Sequence, residues 1–282
     1  MHILEELKVR LRFRRKMGKW GRISHPELFS EKQQWLKLHY RNPLYTTMAD
    51  KYAVKEYVDS ILGPGYTIPT IAVYDRAEDI RWEALPDRFV IKCTHDSGGV
   101  RICRDKSSFD KEEAARFLSK RLKLDYSRHK SEWTYKDVPH RIIVEQYLSE
   151  GPETDLHGIP DYKFMCFGGK PHSVMVCVDR GIGEVKYYFF DRQWNLLRIN
   201  EWSAAAPEGF TLPRPGNLDE LFDLAARLSA GIPFVRVDLY SVAGRIWFGE
   251  FTFFPKSGLD MDLLPSTDVM YGSMFDLPAA NR

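Results

Sequence analysis

Two hydrophobic periods divide this chain. Between residues 29 and 62 apolar positions recur at helical spacing. Ser30 followed by Glu31, Lys32 and Gln33 predicts a helix start with Ser30 as N-cap and Gln33 at the capping-box position; Trp35, Leu36 and Leu38 continue it, and Asn42-Pro43 ends it. A second helix is predicted over 47–62, with Asp50, Lys51, Lys55 and Asp59 on polar faces and Gly63-Pro64-Gly65 closing it. From Thr70 onward the period shortens. Strands are predicted over 70–74, 89–93 and 100–103, then an amphipathic helix over 109–124. Further strands are expected over 141–148, 162–167, 173–178, 186–190 and 196–199, turning at Gly168-Gly169 and Asp191–Trp194, before a helix over 217–230. That order predicts an α+β architecture in two halves.

The last predicted element is a hairpin, Val235–Tyr240 returning as Trp247–Phe253. With Val242-Ala243-Gly244 as a three-residue loop and Gly244 left-handed, Arg236 opposes Glu250 and Asp238 opposes Phe248. Arg236, Asp238, Glu250 and Thr252 then share one face, while Val235, Val237, Leu239, Trp247, Phe251 and Phe253 line the other. Two acids beside an arginine and a hydroxyl suit a hard divalent cation that bridges phosphate oxygens. The competing reading is a salt bridge on a half-exposed hairpin.

Composition narrows the field. A chain of 282 residues with 44% hydrophobic and 13% aromatic content can bury a sizeable core in more than one subdomain. The formal charge of +2 gives no whole-protein case for nucleic-acid binding. Charge is uneven, however: Lys8, Arg10, Arg12, Arg14, Arg15, Lys16, Lys19 and Arg22 face only Glu5 and Glu6 in the first twenty-two residues, with apolar residues interleaved. Such an arm suits a peripheral contact with a membrane or anionic polymer, or docks on its own protein. No apolar run is long enough to cross a bilayer and no uncharged leader is evident, so a cytoplasmic protein is expected. Cys93, Cys103, Cys166 and Cys177 lack paired short spacing and predict neither a zinc site nor a disulfide framework.

Three further stations carry candidate chemistry. Lys92 ends an apolar strand and precedes Asp96-Ser97-Gly98-Gly99, a loop whose backbone amides can approach phosphate oxygens; no GxxxxGK[ST] motif accompanies it. Val144–Leu148 runs into a loop and offers alternating backbone groups to a flat heterocycle. Asp161 and Lys163 are two residues apart on one strand face, where a carboxylate can accept from ribose hydroxyls and a lysine can reach phosphate. Each alone also reads as ordinary solvated charge.

In this order the stations resemble the ATP-grasp superfamily, and their wording is similar to its TupA-like branch of bacterial polysaccharide and teichuronopeptide biosynthesis. The blocks are Phe29-Ser30-Glu31-Lys32 with Trp35, Asp50-Lys51-Tyr52-Ala53-Val54, Phe89-Val90-Ile91-Lys92-Cys93, Asp161-Tyr162-Lys163-Phe164, and Arg236–Tyr240 with Phe248–Phe253. The resemblance, which runs from about residue 28 to the C-terminus, implies an ATP-grasp fold of two α+β lobes gripping ATP behind an N-terminal helical segment. It implies boundaries at 1–65, 66–140 and 141–282. It implies ATP and Mg²⁺ as cofactors, with Lys92 and Lys163 on phosphates under the Ser97, Gly98 and Gly99 loop. Gln146 and Leu148 would read adenine, Glu145 would face its amino group, and Asp161 would hold ribose. Asp238, Glu250 and Thr252 would bind metal, with Thr252 standing where asparagine is usual; Arg236 would stabilise the phosphoryl group, and His95 and Arg180 would face the acceptor. The implied reaction joins a carboxylate on a glycan or sugar precursor to an amine or amino acid through an acylphosphate, in the cytoplasm or at the inner face of the membrane. Two other readings compete with it: a glycosyltransferase using Asp260-Met261-Asp262, and a nucleotide- or glycan-binding protein without turnover.

Overall fold

The computed structural model describes residues 2–151, 158–178 and 185–281. Arg180, expected to face an acceptor, lies outside them, as does part of the loop predicted over 149–160. The chain forms two compact units, one of residues 1–42, 160–246 and 251–282, the other of residues 43–159 with 247–250.

The unit built around residues 43–159 carries a four-stranded antiparallel sheet. Its strands are β1 (Thr70–Tyr74), β2 (Phe89–Cys93), β3 (Val100–Cys103) and β4 (Ile142–Gln146), in the order β1-β4-β2-β3. Alternation sorts β2: Phe89, Ile91 and Cys93 join Cys103, Ile142, Val144 and Leu118 in a core, while Val90 and Lys92 point the other way. Leu118 comes from the helix Lys111–Leu122, which is N-capped by Asp110 accepting from Glu113 N.

The helix expected over 47–62 is broken in two, Leu44–Ala49 and Val54–Leu62. The interruption has a polar cause. Asp50 turns extended, its Oδ1 accepts from Tyr52 N at 2.9 Å, and its Oδ2 accepts from Arg141 Nη2 at 2.8 Å. Lys51 therefore leaves the helix and donates through Nζ to the carbonyl of Asp96.

The other unit centres on a six-stranded antiparallel sheet, adding β5 (Asp161–Phe167), β6 (Lys170–Val178), β7 (Lys186–Phe190), β8 (Leu196–Leu197), β9 (Phe234–Val242) and β10 (Arg245–Thr252) in the order β10-β9-β5-β6-β7-β8. Phe164, Cys166, Val235, Val237 and Leu239 are buried on one face, where the helix Leu218–Ser229 packs and Phe222 meets Phe164 edge-on at 4.9 Å. The helix predicted with Ser30 as N-cap starts two residues sooner, at Phe29, with Leu28 as N-cap. Ser30 is buried instead, bonded through N and Oγ to Asp268, and the capping carboxylate is Glu31, which accepts from Leu28 N at 3.2 Å and Glu27 N at 3.1 Å.

The last hairpin also departs from expectation. Its turn has two residues, Ala243 (φ 51°) and Gly244 (φ 73°), both left-handed as a primed turn requires. A two-residue turn places residues sixteen apart on opposite faces of a regular ladder. Arg236 Nη2 nevertheless donates to Thr252 Oγ1 at 2.9 Å, so one extra residue interrupts the ladder between them.

Candidate functional site

The smaller sheet concentrates ammonium groups around one carboxylate. Val90 pairs with Glu145 and Lys92 with Ile143, so Lys92 sits diagonally beside Glu145 on the face turned away from the core. Lys92 Nζ lies 2.5 Å from Glu145 Oε2 and Lys55 Nζ lies 2.5 Å from Oε1. Lys55 also donates to Ile68 O at 2.5 Å. Burial pushes the Glu145 carboxyl up, but Lys92 and Lys55 outweigh it and hold the group below its ordinary value. Burial dominates at the lysines: it lowers Lys55 against the pull of Glu145, and lowers Lys51 against Glu250 and Asp96. Lys51, Lys55, Lys92 and Glu145 line one cavity with Thr67, Phe248 and Gly249; at about 10 Å³ it has room for a single water.

The glycine loop beside this cluster is pinned at its start. Arg121 Nε donates to Asp96 Oδ2 at 2.5 Å and its Nη2 to Ser97 O at 2.8 Å. Gly98 has φ +79° and nothing near its missing Cβ. A Cβ at Gly99 would stand 2.4 Å from Asp96 Oδ2, so glycine there makes room for the Asp96–Arg121 pair. His95, fully buried, stacks on His140 with centroids 3.6 Å apart, and burial followed by the neighbouring imidazole lowers its pKa to about 4.

The larger sheet gathers the other sequence candidates. Lys163 pairs with Asp238 and Met165 with Arg236, which puts Asp161, Lys163, Arg236 and Asp238 on one face. Arg236 grips Asp238 with Nε on Oδ1 and Nη2 on Oδ2, both at 2.7 Å. Lys163 donates to Asp238 Oδ2 and, at 3.0 Å, to Asp161 Oδ1. Asp238 is 0% exposed, and burial pushes its pKa up; Arg236 and Lys163 together overcome that and leave it lowered. On the same face a cavity of about 210 Å³ is lined by Lys163, Arg236, Met165, Met175, Tyr187 and Phe189, with Lys256, Asp260 and Asp262 at its border. Burial raises the Asp260 pKa.

That border is a strained turn held from below. Lys256 (φ 49°) and Ser257 (φ 62°) are consecutive left-handed residues without being glycine. Lys37, 1% exposed, donates to Ser257 O and Oγ, each at 2.7 Å, and Gln34 Nε2 donates to Gly258 O at 3.0 Å. Lys37 and Gln34 do not stand out in sequence, because i,i+3 polar positions on a helix usually read as a solvated face. Lys51 and Lys55 were predicted as polar-face residues for the same reason; only the chain path buries their ammonium groups.

Of the sequence candidates, the fold brings Lys92 and Glu145 together in one unit, beside the loop of Ser97, Gly98 and Gly99. Asp161, Lys163, Arg236, Asp238 and Thr252 come together in the other. Gln146 lies on β4, its N–H bonded to Pro69 O at 3.0 Å, and Leu148 follows it, buried. Glu250 belongs to the unit of Lys51, and its charge acts on Lys51. Asp260 and Asp262 border the larger cavity.

The profile of the family described as TupA-like ATP-grasp matches residues 31–276, and the chain belongs to that family. No curated protein matches it in sequence. Among solved structures, the chain is similar to the D-alanine–D-alanine ligase from Bacillus anthracis complexed with ATP, at 14% identity over 80% of this chain and 60% of that one, TM-score 0.45. It is also similar to the D-cycloserine synthetase DcsG, at 17% identity over 82% of this chain and 70% of that one, TM-score 0.46. A third is the D-alanine–D-alanine ligase from Helicobacter pylori, at 11% identity over 83% and 60%, TM-score 0.46. The chain thus spans about 60% of the length of the D-alanine–D-alanine ligases it matches.

Both donor sets fit the groups this family implies. Lys51, Lys55 and Lys92 line one cavity and can offer positive charge to phosphate oxygens. Asp238 and Thr252, together in one unit, are hard oxygen donors, and Mg²⁺ asks for only one or two carboxylates besides phosphate and water. Among the described residues no three His, Cys, Asp or Glu side chains gather as a cage, which such an ion does not need. Asp238 already bears two cationic groups, so a divalent cation there replaces charge for charge.

Proposed function

We propose that the chain is an ATP- and Mg²⁺-dependent carboxylate–amine ligase of bacterial surface polysaccharide biosynthesis. The pairing of Lys55 and Lys92 with Glu145, with Lys51 lining the same cavity, carries the reading: three lysines at one cavity offer positive charge to a triphosphate. Lys92 and the backbone of Ser97, Gly98 and Gly99 hold phosphates. Backbone groups of Gln146 and Leu148 face adenine. Glu145 keeps Lys55 and Lys92 in place, and Asp161 takes ribose hydroxyls beside Lys163.

Asp238 and Glu250, with Thr252, hold Mg²⁺, which when bound neutralises charge on the transferred phosphoryl group. Lys163 contacts phosphate and Arg236 stabilises the phosphoryl group while an oxygen of the acceptor carboxylate attacks the γ-phosphorus and the bond to ADP breaks. The amine then attacks the acyl carbon, phosphate leaves, and the amine proton goes to solvent. Positioning and charge neutralisation do this work without a protein nucleophile. Cys93 and Cys166 fit that picture, since burial pushes both thiols up to about 12.

The acceptor is a uronic-acid carboxylate on a glycan or its sugar precursor, and the nucleophile an amino acid or other amine; nucleic acid has no part. The ATP requirement and the free, buried thiols of Cys93, Cys103 and Cys166 favour the cytoplasm. ATP incubated with a panel of glycan precursors and mixed amino acids should yield ADP and a product heavier by the amino acid less water, read by mass spectrometry. ADP-free transfer from a sugar nucleotide would replace this reading with a glycosyltransferase, and nucleotide binding without turnover would replace it with a binding protein.

A further inference from the structure

The helix His2–Met17 (α1) is docked by one face and bare on another. Val9 and Phe13, four residues apart, are 2% and 0% exposed and pack with Ile23, Leu38 and Leu259. At about 100° per residue, Ile3, Leu4, Leu7 and Leu11 form a second apolar stripe pointing away from that contact. These four are 83%, 66%, 49% and 49% exposed. Trp20, 53% exposed, follows the helix with the Arg14 guanidinium 4.7 Å over its ring. Exposed Lys8 and Arg15 flank the bare stripe and exposed Arg14 lies within it, whereas Glu6 turns toward the docked side and accepts from Arg10 Nε at 2.9 Å.

We propose that α1 lies in the surface of an anionic lipid bilayer, with Ile3, Leu4, Leu7 and Leu11 below the headgroups and the flanking cations on lipid phosphates. Charge and apolarity together choose this occupant. A second copy of the face would bring like charges together, and an acidic polymer would pair the cations but leave four large aliphatic side chains in water. A bilayer with anionic headgroups satisfies both, and Trp20 suits its interface. Docking on its own protein is already performed by Val9 and Phe13. Among the described residues no helix is long and apolar enough to cross a membrane, so the contact is peripheral. This inference is independent of the ligase reading.

The test is co-sedimentation of the full chain with vesicles of phosphatidylcholine alone or with one third phosphatidylglycerol. Binding to the anionic vesicles should be stronger by about tenfold and should weaken with added salt. The triple variant Leu4→Gln, Leu7→Gln, Leu11→Gln should lose about tenfold of that binding while its melting temperature stays put, because these side chains are exposed. Should the triple variant lose structure, Leu7→Gln alone must still show a smaller loss. Undiminished binding by both variants, equal binding to neutral vesicles, or a self-association through α1 that vesicles do not disrupt would each overturn the proposal.

Discussion

The two charged clusters solve one electrostatic problem in opposite ways. Around β2 and β4 a single buried carboxylate, Glu145, stands between Lys55 and Lys92, with Lys51 in the same cavity. Across β5 and β9 two carboxylates, Asp161 and Asp238, balance Lys163 and Arg236. The first cluster carries surplus bases, and bases that can give up a proton. The second is balanced and includes a guanidinium that stays charged at any ordinary pH.

This contrast ranks the consequences of mutation. Asp238→Asn should cost the most, about 3–5 kcal/mol in unfolding free energy, because Arg236 and Lys163 are then left with Asp161 and cannot both be neutralised by proton loss. Urea denaturation measures it, and a loss below about 1 kcal/mol would mean the cluster is effectively solvated. Glu145→Gln should cost less, about 2 kcal/mol, because Lys55, whose pKa burial already lowers, can shed a proton. Its deficit against the parent protein should narrow as pH rises from 7 to 10, and a deficit that stays constant over that range would break the comparison.

Nucleotide binding sharpens the same point. Lys92→Met should weaken ATP binding by about a hundredfold in calorimetry, in line with loss of one partner from a buried charge pair. In the parent protein the affinity should fall as pH rises from 7 to 10. Lys51 and Lys55 have lowered pKa values when free and must be protonated to hold phosphate, so binding takes up protons and titrations in buffers of different ionisation enthalpy should register that uptake.

The smallest effect belongs to His95, which titrates beside the lysine cluster without joining it. Its folded pKa of about 4 lies below the ordinary 6.5, so its contribution to stability is complete above pH 6.5 and is lost as pH falls toward 4. His95→Gln should remove that acid-side step, worth about 1–2 kcal/mol after allowance for solvent access, as seen in melting temperatures recorded between pH 7 and 4. An unchanged acid profile would assign the step to other groups.

Much of the fold was legible in the chain. Strands Thr70–Tyr74, Phe89–Cys93, Val100–Cys103 and Lys186–Phe190 fall on their predicted residues, because alternation and flanking turn residues act over a few positions. The same alternation assigned Asp161 and Lys163, and Arg236 and Asp238, to shared faces. Two expectations failed where a distant group intervened, and a third at a local turn. Asp268 claimed Ser30 and left the helix start to Glu31; Arg141 claimed Asp50 and broke a predicted helix; a two-residue turn with an interrupted ladder replaced a three-residue loop.

By itself the sequence determined the periods, the turns and the order of charged stations, all of which depend on residues within one or two turns of each other. Only the tertiary structure decided which charges meet. Lys51 and Lys55 look solvated along the chain, and Lys37 looks like one more surface base, until chain crossings bury their ammonium groups beside particular carboxylates, carbonyls and rings. Charge interactions act through space and strengthen as water leaves, so their partners are set by packing that no local pattern encodes.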